Sequence, residues 1–444
     1  MTNTSITNCK TCKSPFEITP EDHRFYKLFD VPPQKQCPQC RLQRRLMERN
    51  TRNLYWRKCD LTGEKILSQF HPDHPFPVYK TEDWWSDKWN ALDYGVDFDF
   101  ERPFFEQFKE LRDSVPHFAM YVIHGTQENS EYTNCTGYLK NCYMIFESDY
   151  DEDCYYSNGL KINKDIADSS FCFDSELLYE CIDCTNCYNL NFSQDCENCT
   201  DSNFLYNCKS CKNCIGCINL RHKQHCILNK QYTPEEFEKL APKYALKDQA
   251  SITEITKQAQ EFFETQPHKN LQEERNENSL GDHLYNSKDA YYCIDSKNLE
   301  DCRHCARLSL GVKTSMDYNS WGDKAQMIYQ SSSCGDNIYN LRFCANCMSN
   351  TSDCTYCELC ISSKNLFGCA GLRNNTHCIF NKQYKPAEYE RLRARIIEHM
   401  KKTGEYGEYF PPELSTFAYN ETTTMEYFPL TREEALEKGF KWRD

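Results

Sequence analysis

A twelve-residue cysteine repeat constrains this 444-residue chain more than anything else in it. CTNCYNLNFSQD at 184–195 is followed by CENCTDSNFLYN at 196–207, then by CKSCKNCIGCIN at 208–219. Cys172, Cys184, Cys196 and Cys208 fall in one column. Short fixed periods are the mark of units stacked along one axis. Residues i and i+3 of a straight strand face opposite ways. Both cysteines of a CxxC face inward only if the chain turns between them. The intervening pairs Thr185-Asn186, Glu197-Asn198, Lys209-Ser210 and Lys212-Asn213 are mostly turn formers, so CxxC belongs at corners. Twelve extended residues span about 40 Å, enough for one narrow coil; a 24-residue coil holding two repeats satisfies the same arithmetic. A narrow interior favours a small soft side chain, hence Cys where a wider core would use Leu.

The repeat is itself duplicated. GCINLRHKQHCILNKQYTPEEFEKL at 216–240 matches GCAGLRNNTHCIFNKQYKPAEYERL at 368–392 at a constant offset, aligning Cys217 with Cys369, Cys226 with Cys378 and Pro234 with Pro386. Each copy ends in NKQY and a helix started by proline, with Thr233 and Glu236 as a capping-box pair in the first. Cys357, Cys360 and Cys369 keep the 3-then-9 spacing, while irregular spacing at 155–171 and 306–343 reads as insertions or larger loops. The expected fold is mainly β with helices: an N-terminal zinc ribbon, then duplicated Cys-rich parallel β-solenoid (β-helix) arrays linked by helices. The expected divisions are a ribbon with a basic extension (1–58), an aromatic-rich subdomain (59–130), a first array (131–232), a helical connector (233–284), a second array (285–384) and a helical tail (385–444).

Composition narrows the function classes. The hydrophobic fraction of 39% includes 30 Cys and 29 Tyr, which excludes one large aliphatic core. There is no apolar run of membrane-spanning length, and the opening MTNTSITNCKTC has no apolar signal region. The expected setting is therefore the reducing cytoplasm, where clustered cysteines mean metal or packing more often than disulfides. A net charge of -14 disfavours a general nucleic-acid coat. The charge is uneven: residues 41–58 carry seven cations against Glu48, a net of +6, and residues 142–200 carry thirteen acids against Lys161 and Lys164, a net of -11.

Cys9, Cys12, Cys37 and Cys40 are two CxxC pairs with the spacing of a four-cysteine tetrahedral zinc site, each pair read as a knuckle whose N–H groups soften the thiolate charge. All four positions are filled, so the zinc is structural, and so short a segment needs it to fold. With Phe16, Phe25, Tyr26, Pro33, Pro38 and Arg41, these cysteines make residues 9–45 resemble a zinc-ribbon family that reads CxxC, an aromatic stretch ending in FY, a proline-containing approach and CPxCR before basic residues. Val31-Pro32-Pro33 stands where that family has a Gly-containing turn. The whole chain is similar to a group of uncharacterised Cys-rich bacterial proteins with such a ribbon in front, a likeness that implies no activity.

Arg41, Arg44, Arg45, Arg49 and Arg52 approximate a helical stripe, with Tyr55 and Trp56 beyond it. The stripe is either a solvated face or a phosphate-contacting one. The array cysteines are read as a reduced inward ladder, as metal ligands or as disulfides. For metal, two stacked corners would gather Cys184, Cys187, Cys196 and Cys199 as a second site, with Cys208, Cys211, Cys214 and Cys217 as another; Cys344, Cys347, Cys354, Cys357 and Cys360 are the counterparts in the second array. Cys59 with His71 and His74 is a weaker three-ligand candidate. His225/His377 persist between the copies and read as capping residues. GxSxG, HExxH, P-loop and GxGxxG motifs are absent from the sequence. The functional expectation is a zinc-binding, non-catalytic scaffold or interaction protein with a protein partner. The alternatives are a nucleic-acid or ribosome-associated factor working through residues 41–58, or a β-solenoid enzyme.

Overall fold

The computed structural model describes residues 4–444. The chain is mainly β with helices, and most strands pair in parallel. It divides into two compact units. One comprises Met1–Ile66, Phe70–Ala119 and Asn270–Asp444; the other comprises Leu67–Gln69 and Met120–Lys269. Among the described residues no helix is long and apolar enough to cross a membrane.

In the second of these units parallel partners lie twelve residues apart from Gln127↔Leu139 to Ile215↔Ile227, after a first bridge, Val122↔Thr136, of fourteen. The repeat therefore closes a rung in twelve residues, not 24. The backbone enters the left-handed region at every third residue, as at Asp183, Asn186, Asn189, Phe192, Asp195 and Asn198 (φ 52–55°). Asn and Asp tolerate that region best among residues with a Cβ, which accounts for their density here. With a corner every three residues, the inward position also recurs every three: Cys181, Cys184, Cys187, Leu190, Ser193, Cys196 and Cys199 are all buried. The turn expected inside CxxC thus separates every successive inward pair. Nor do residues 155–171 hold a larger loop. Tyr155↔Ala167 and Asn158↔Ser170 keep the register, and Ser157, Leu160, Asn163, Ile166 and Ser169 occupy the inward positions there.

Backbone hydrogen bonding explains which residues face inward. Where the inward residue one rung earlier is Ser, Asn or Asp, its side chain takes the inward N–H at the corner. Leu205 N–H donates to Ser193 Oγ (3.0 Å), Cys181 N–H to Ser169 Oγ (3.0 Å) and Asn163 N–H to Asp151 Oδ1 (2.9 Å). The same hydroxyl donates two residues back, Ser193 Oγ to Asn191 O at 2.9 Å. Cysteines repeat the outgoing bond with sulfur: Cys196 Sγ lies 3.3 Å from Gln194 O. A buried N–H must have a partner, so the position selects a small side chain that can also bond, Cys or Ser. The helix Gln249–Glu264 lays Ile255 and Ala259 over Phe204, which stacks on Phe192 at 4.9 Å.

The other unit contains the second array, a ten-stranded sheet from Lys288–Tyr291 to Lys382–Gln383. Its register is 12 at Lys288↔Glu300, 13 at Lys313↔Gln326, Gln326↔Tyr339 and Tyr339↔Ser352, and 12 again at Ser352↔Lys364 and Lys364↔Thr376. The irregular spacing at 306–343 is thus one extra residue per rung. The aromatic stretch does not fold on itself alone. Phe104 lies 5.2 Å from Tyr356, 5.6 Å from Phe367 and 5.3 Å from Phe380, and Phe98 lies 5.5 Å from Phe380. Its rings find more apolar area on the array than a segment of that length supplies to itself.

Candidate metal centre

Strands β1 (Ser5–Asn8) and β2 (Pro15–Ile18) form an antiparallel hairpin, and the first CxxC occupies its turn. Cys9 N–H donates to Ser14 O (2.9 Å) and Lys13 N–H to Cys9 O (3.0 Å), closing the knuckle. Helix α1 (Pro20–Leu28) follows, capped reciprocally by Thr19 and Asp22. Helix α2 (Pro38–Leu46) carries the second CxxC: Cys37 is its N-cap, Pro38 opens it and Cys40 lies in its first turn. The second pair, expected as another knuckle, is instead the start of a helix. Proline suits that first position, and the unpaired N–H groups of a first turn favour negative charge.

The four sulfurs all lie within 4.8 Å of one another, with Cys12 Sγ and Cys37 Sγ 3.8 Å apart. A tetrahedron with metal–sulfur bonds of about 2.3 Å has sulfur–sulfur edges of about 3.8 Å, so the group could hold a metal ion. Burial by itself would raise Cys9, but N–H groups of Cys37, Cys12 and Thr11 outweigh it and bring the thiol down to about 6; the Cys37 N–H to Cys9 Sγ bond is 3.2 Å. Burial pushes Cys40 the other way. Hydrogen bonds from Ser14 lower Cys12 too and burial raises Cys37, so the hairpin pair offers the readier thiolates and the helix pair the more protected thiols. A bound cation would draw the remaining protons off.

Three arginines of the stripe, Arg41, Arg44 and Arg45, face the interior rather than solvent. Arg41 and Arg45 are fully buried in ion pairs with Asp317, Arg41 Nε–Oδ2 at 2.8 Å and Arg45 Nη1–Oδ1 at 3.3 Å. Arg45 Nε also donates to Asn319 Oδ1 at 3.0 Å. Arg44 donates to the carbonyls of Tyr409 and Phe410, and Arg49 to Ser333 Oγ at 3.3 Å. Arg52, at the end of the stripe, is half exposed and pairs with Glu426 at 3.4 Å. The solvated face expected of the stripe is thus corrected at Arg41, Arg44 and Arg45 and kept at Arg52. The helix that begins at the cysteines docks on the second array, and its guanidiniums find a carboxylate and carbonyls inside.

The other candidates separate. Cys184, Cys187, Cys196 and Cys199 are buried, as are Cys208, Cys211, Cys214 and Cys217, which fill the four inward positions of one rung. Among the described residues, neither set brings three sulfurs within 4.8 Å of one another. Burial lifts the Cys196 thiol well above its ordinary value, as it does Cys293 and Cys302 in the second array. Among the described residues no two cysteines are joined in a disulfide. Cys59 accepts Lys80 N–H at 3.3 Å, while His74 stacks on Phe76 at 5.0 Å; with His71 they form no common site. His225 Nε2 meets Asn213 Nδ2 at 3.2 Å and packs on Phe237; His377 meets Asn365 Nδ2 at 3.1 Å and packs on Tyr389. The two histidines repeat the same contacts at the last rung of each array.

No family model matches the chain, and no curated protein matches it. Among solved structures it is similar to a provisionally assigned acetyltransferase of Desulfovibrio desulfuricans G20, with 10% identity over 53% of this chain and 69% of that one and a TM-score of 0.12. A likeness that slight carries no argument.

Proposed function

We propose that this chain is a zinc-binding, non-catalytic interaction protein. In this reading both arrays are parallel β-solenoids lined by reduced thiols, and zinc at Cys9, Cys12, Cys37 and Cys40 fastens the docked front end, as the resemblance to zinc ribbons implies. Free thiols throughout fit a reducing, cytoplasmic setting.

One observation carries the interaction role. Outward columns of the unit spanning 120–269 expose Tyr138 and Tyr150, stacked in parallel at 4.4 Å, and also Tyr143, Tyr155, Tyr156 and Tyr179. All of these rings but Tyr138 stand in the stretch 142–200, with its net charge of -11. Exposed aromatic area among like charges suits a flat, basic protein surface. The burial of Arg41, Arg44 and Arg45 leaves fewer cations for a nucleic-acid role, which favours the protein-partner reading.

The test uses the full chain against an immobilised lysine- and arginine-rich peptide, with elemental analysis of the same preparation. The reading expects about one zinc per chain and salt-sensitive retention that drops when Tyr138 and Tyr150 are both changed to Ser. Retention indifferent to that double change would remove the proposed face, and a metal-free folded chain would remove the zinc.

A further inference from the structure

We infer that the unit holding the second array carries a pocket for a small organic oxyanion, a carboxylate or phosphate monoester bearing a flat apolar group. A cavity of about 310 Å³ is bounded by residues 73–76, the end of the helix Phe104–Ser114, residues 415–418 and residues 441–443. That is the small end of the range for ligand pockets, about 300–1,000 Å³. In a chain of net charge -14, its lining holds Lys109, Arg112, Lys441 and Arg443 against Asp73 and Asp113.

The cations are not evenly neutralised. Asp113 is shared by Arg112 (2.9 Å) and Lys109, and Arg112 also has Glu358 at 3.9 Å behind it. Arg443 divides itself between Glu421 at 3.4 Å and Asp73 at 3.8 Å. Lys441 Nζ donates to the Ser415 carbonyl at 2.8 Å, which leaves two of its three N–H donors for a ligand. Glu48, which senses both Arg112 and Lys441, does not compensate: burial raises its carboxyl to about 8, so it is mostly protonated at neutral pH.

A second feature points to a polar ligand atom. His74 lines the cavity, and its buried Nε2 has no hydrogen-bond partner. Burial and nearby Arg443 hold this imidazole down to about 3, so it is neutral and can act as a single donor or acceptor. Phe76, Phe417 and Trp442 complete the lining with ring surface. An oxyanion would meet Lys441 directly and His74 Nε2, which lies beneath the cavity surface, only once the imidazole turns outward, and a planar tail would lie against the rings. A neutral ligand would leave the excess charge in place, and a cation would be repelled.

Calorimetric titration of the full chain at pH 7 tests the pocket, with benzoate, phenyl phosphate, inorganic phosphate and the neutral benzamide as probes. Benzoate or phenyl phosphate is expected to saturate one site, with benzamide and inorganic phosphate each about tenfold weaker or more. Lys441→Met is expected to weaken the aromatic oxyanion about tenfold, whereas Lys438→Met, the same charge change outside the lining, leaves it unchanged. Arg443→Gln gives an independent second loss. The proposal fails if neither aromatic oxyanion saturates by about 10 mM, if both lysine variants weaken binding equally, or if inorganic phosphate binds as tightly as phenyl phosphate.

Discussion

The two arrays solve one packing problem with different parts. In the first, a left-handed corner column runs Phe192, Phe204, Gly216, Leu228, and the helix Gln249–Glu264 covers it with Ile255 and Ala259. In the second, the corresponding column runs Tyr356, Gly368, Phe380, and Phe104 covers it. Gly216 and Gly368 are equivalent in the duplication, with φ of +62° and +61°. Each makes room for its cover: a Cβ at Gly216 would sit 2.8 Å from Leu228 Cδ2, and one at Gly368 2.8 Å from Phe380 Cε2 and 3.1 Å from Phe104. The duplicated rung thus specifies a docking column, and neighbouring sequence supplies what docks. The arrays differ most in charge. The first keeps its charged residues largely outside, while the second takes Asp317, Arg41 and Arg45 into its interior.

The largest expected effect follows from that difference. Asp317→Ala strands two buried guanidiniums, and removing one partner of a buried pair costs about 3–5 kcal/mol. Urea unfolding followed by hydrogen exchange is expected to show loss of protection across Leu299–Arg303 and Val312–Gly322 while Tyr188–Asn191 and Thr200–Tyr206 keep theirs. Equal loss in both units would show that they do not differ in this way.

The two glycines sharpen the comparison. An L-residue at either position pays the left-handed strain of about 1–2 kcal/mol. At Gly216 the flexible end of Leu228 can then move aside; at Gly368 two aromatic rings cannot. Gly368→Ala is expected to cost about 3 kcal/mol and Gly216→Ala about 1 kcal/mol, read from paired denaturation midpoints. Equal costs would mean that the covers are equally loose.

Much of this was legible in the sequence, and the misses share a cause. The twelve-residue period, the inward cysteines and the four-cysteine cluster follow from spacing and residue type. The three-residue corner period was hidden by reading strands at period two, although Asp183, Asn186, Asn189, Asp195, Asn198 and Asp201 mark it. The burial of Arg41 and Arg45 is not legible locally, because their partner Asp317 is 272 residues from Arg45. Type suggested solvent, and only long-range packing reverses that. The oxyanion pocket draws on four separated segments, so no local motif announces it.

A smaller effect depends on pH. The Glu48 carboxyl titrates near 8 in the fold against an ordinary 4.5, raised first by burial and then by Glu358. The folded state therefore holds a proton that the unfolded state releases between pH 4.5 and 8, so this group's contribution falls as pH rises through that window and is flat above it. Glu48→Gln removes the slope: it is expected to stabilise the fold at pH 8 and hardly at all below pH 4.5. Melting curves at both pH values check it; a wild-type slope that survives in the variant would assign the titration elsewhere.

The smallest effect asks whether both arrays obey one hydrogen-bond rule. In the second, Cys347 N–H donates to Cys334 Sγ at 3.4 Å, and that sulfur lies 3.3 Å from Ser332 O. In the first, Ser193 occupies the same role between Leu205 N–H and Asn191 O. If the inward position selects a small bonding group rather than sulfur itself, Cys334→Ser and Ser193→Cys each change stability by less than about 0.5 kcal/mol, because donor and acceptor survive. Cys334→Ala and Ser193→Ala each leave a buried N–H unpaired and cost about 1 kcal/mol. Chemical denaturation of the four variants separates this from packing by size alone, in which alanine and serine would be equivalent at Cys334. A serine as costly as alanine there would mean that the second array needs the volume of sulfur and the first does not, and the wider 13-residue rungs around Cys334 would then be the reason.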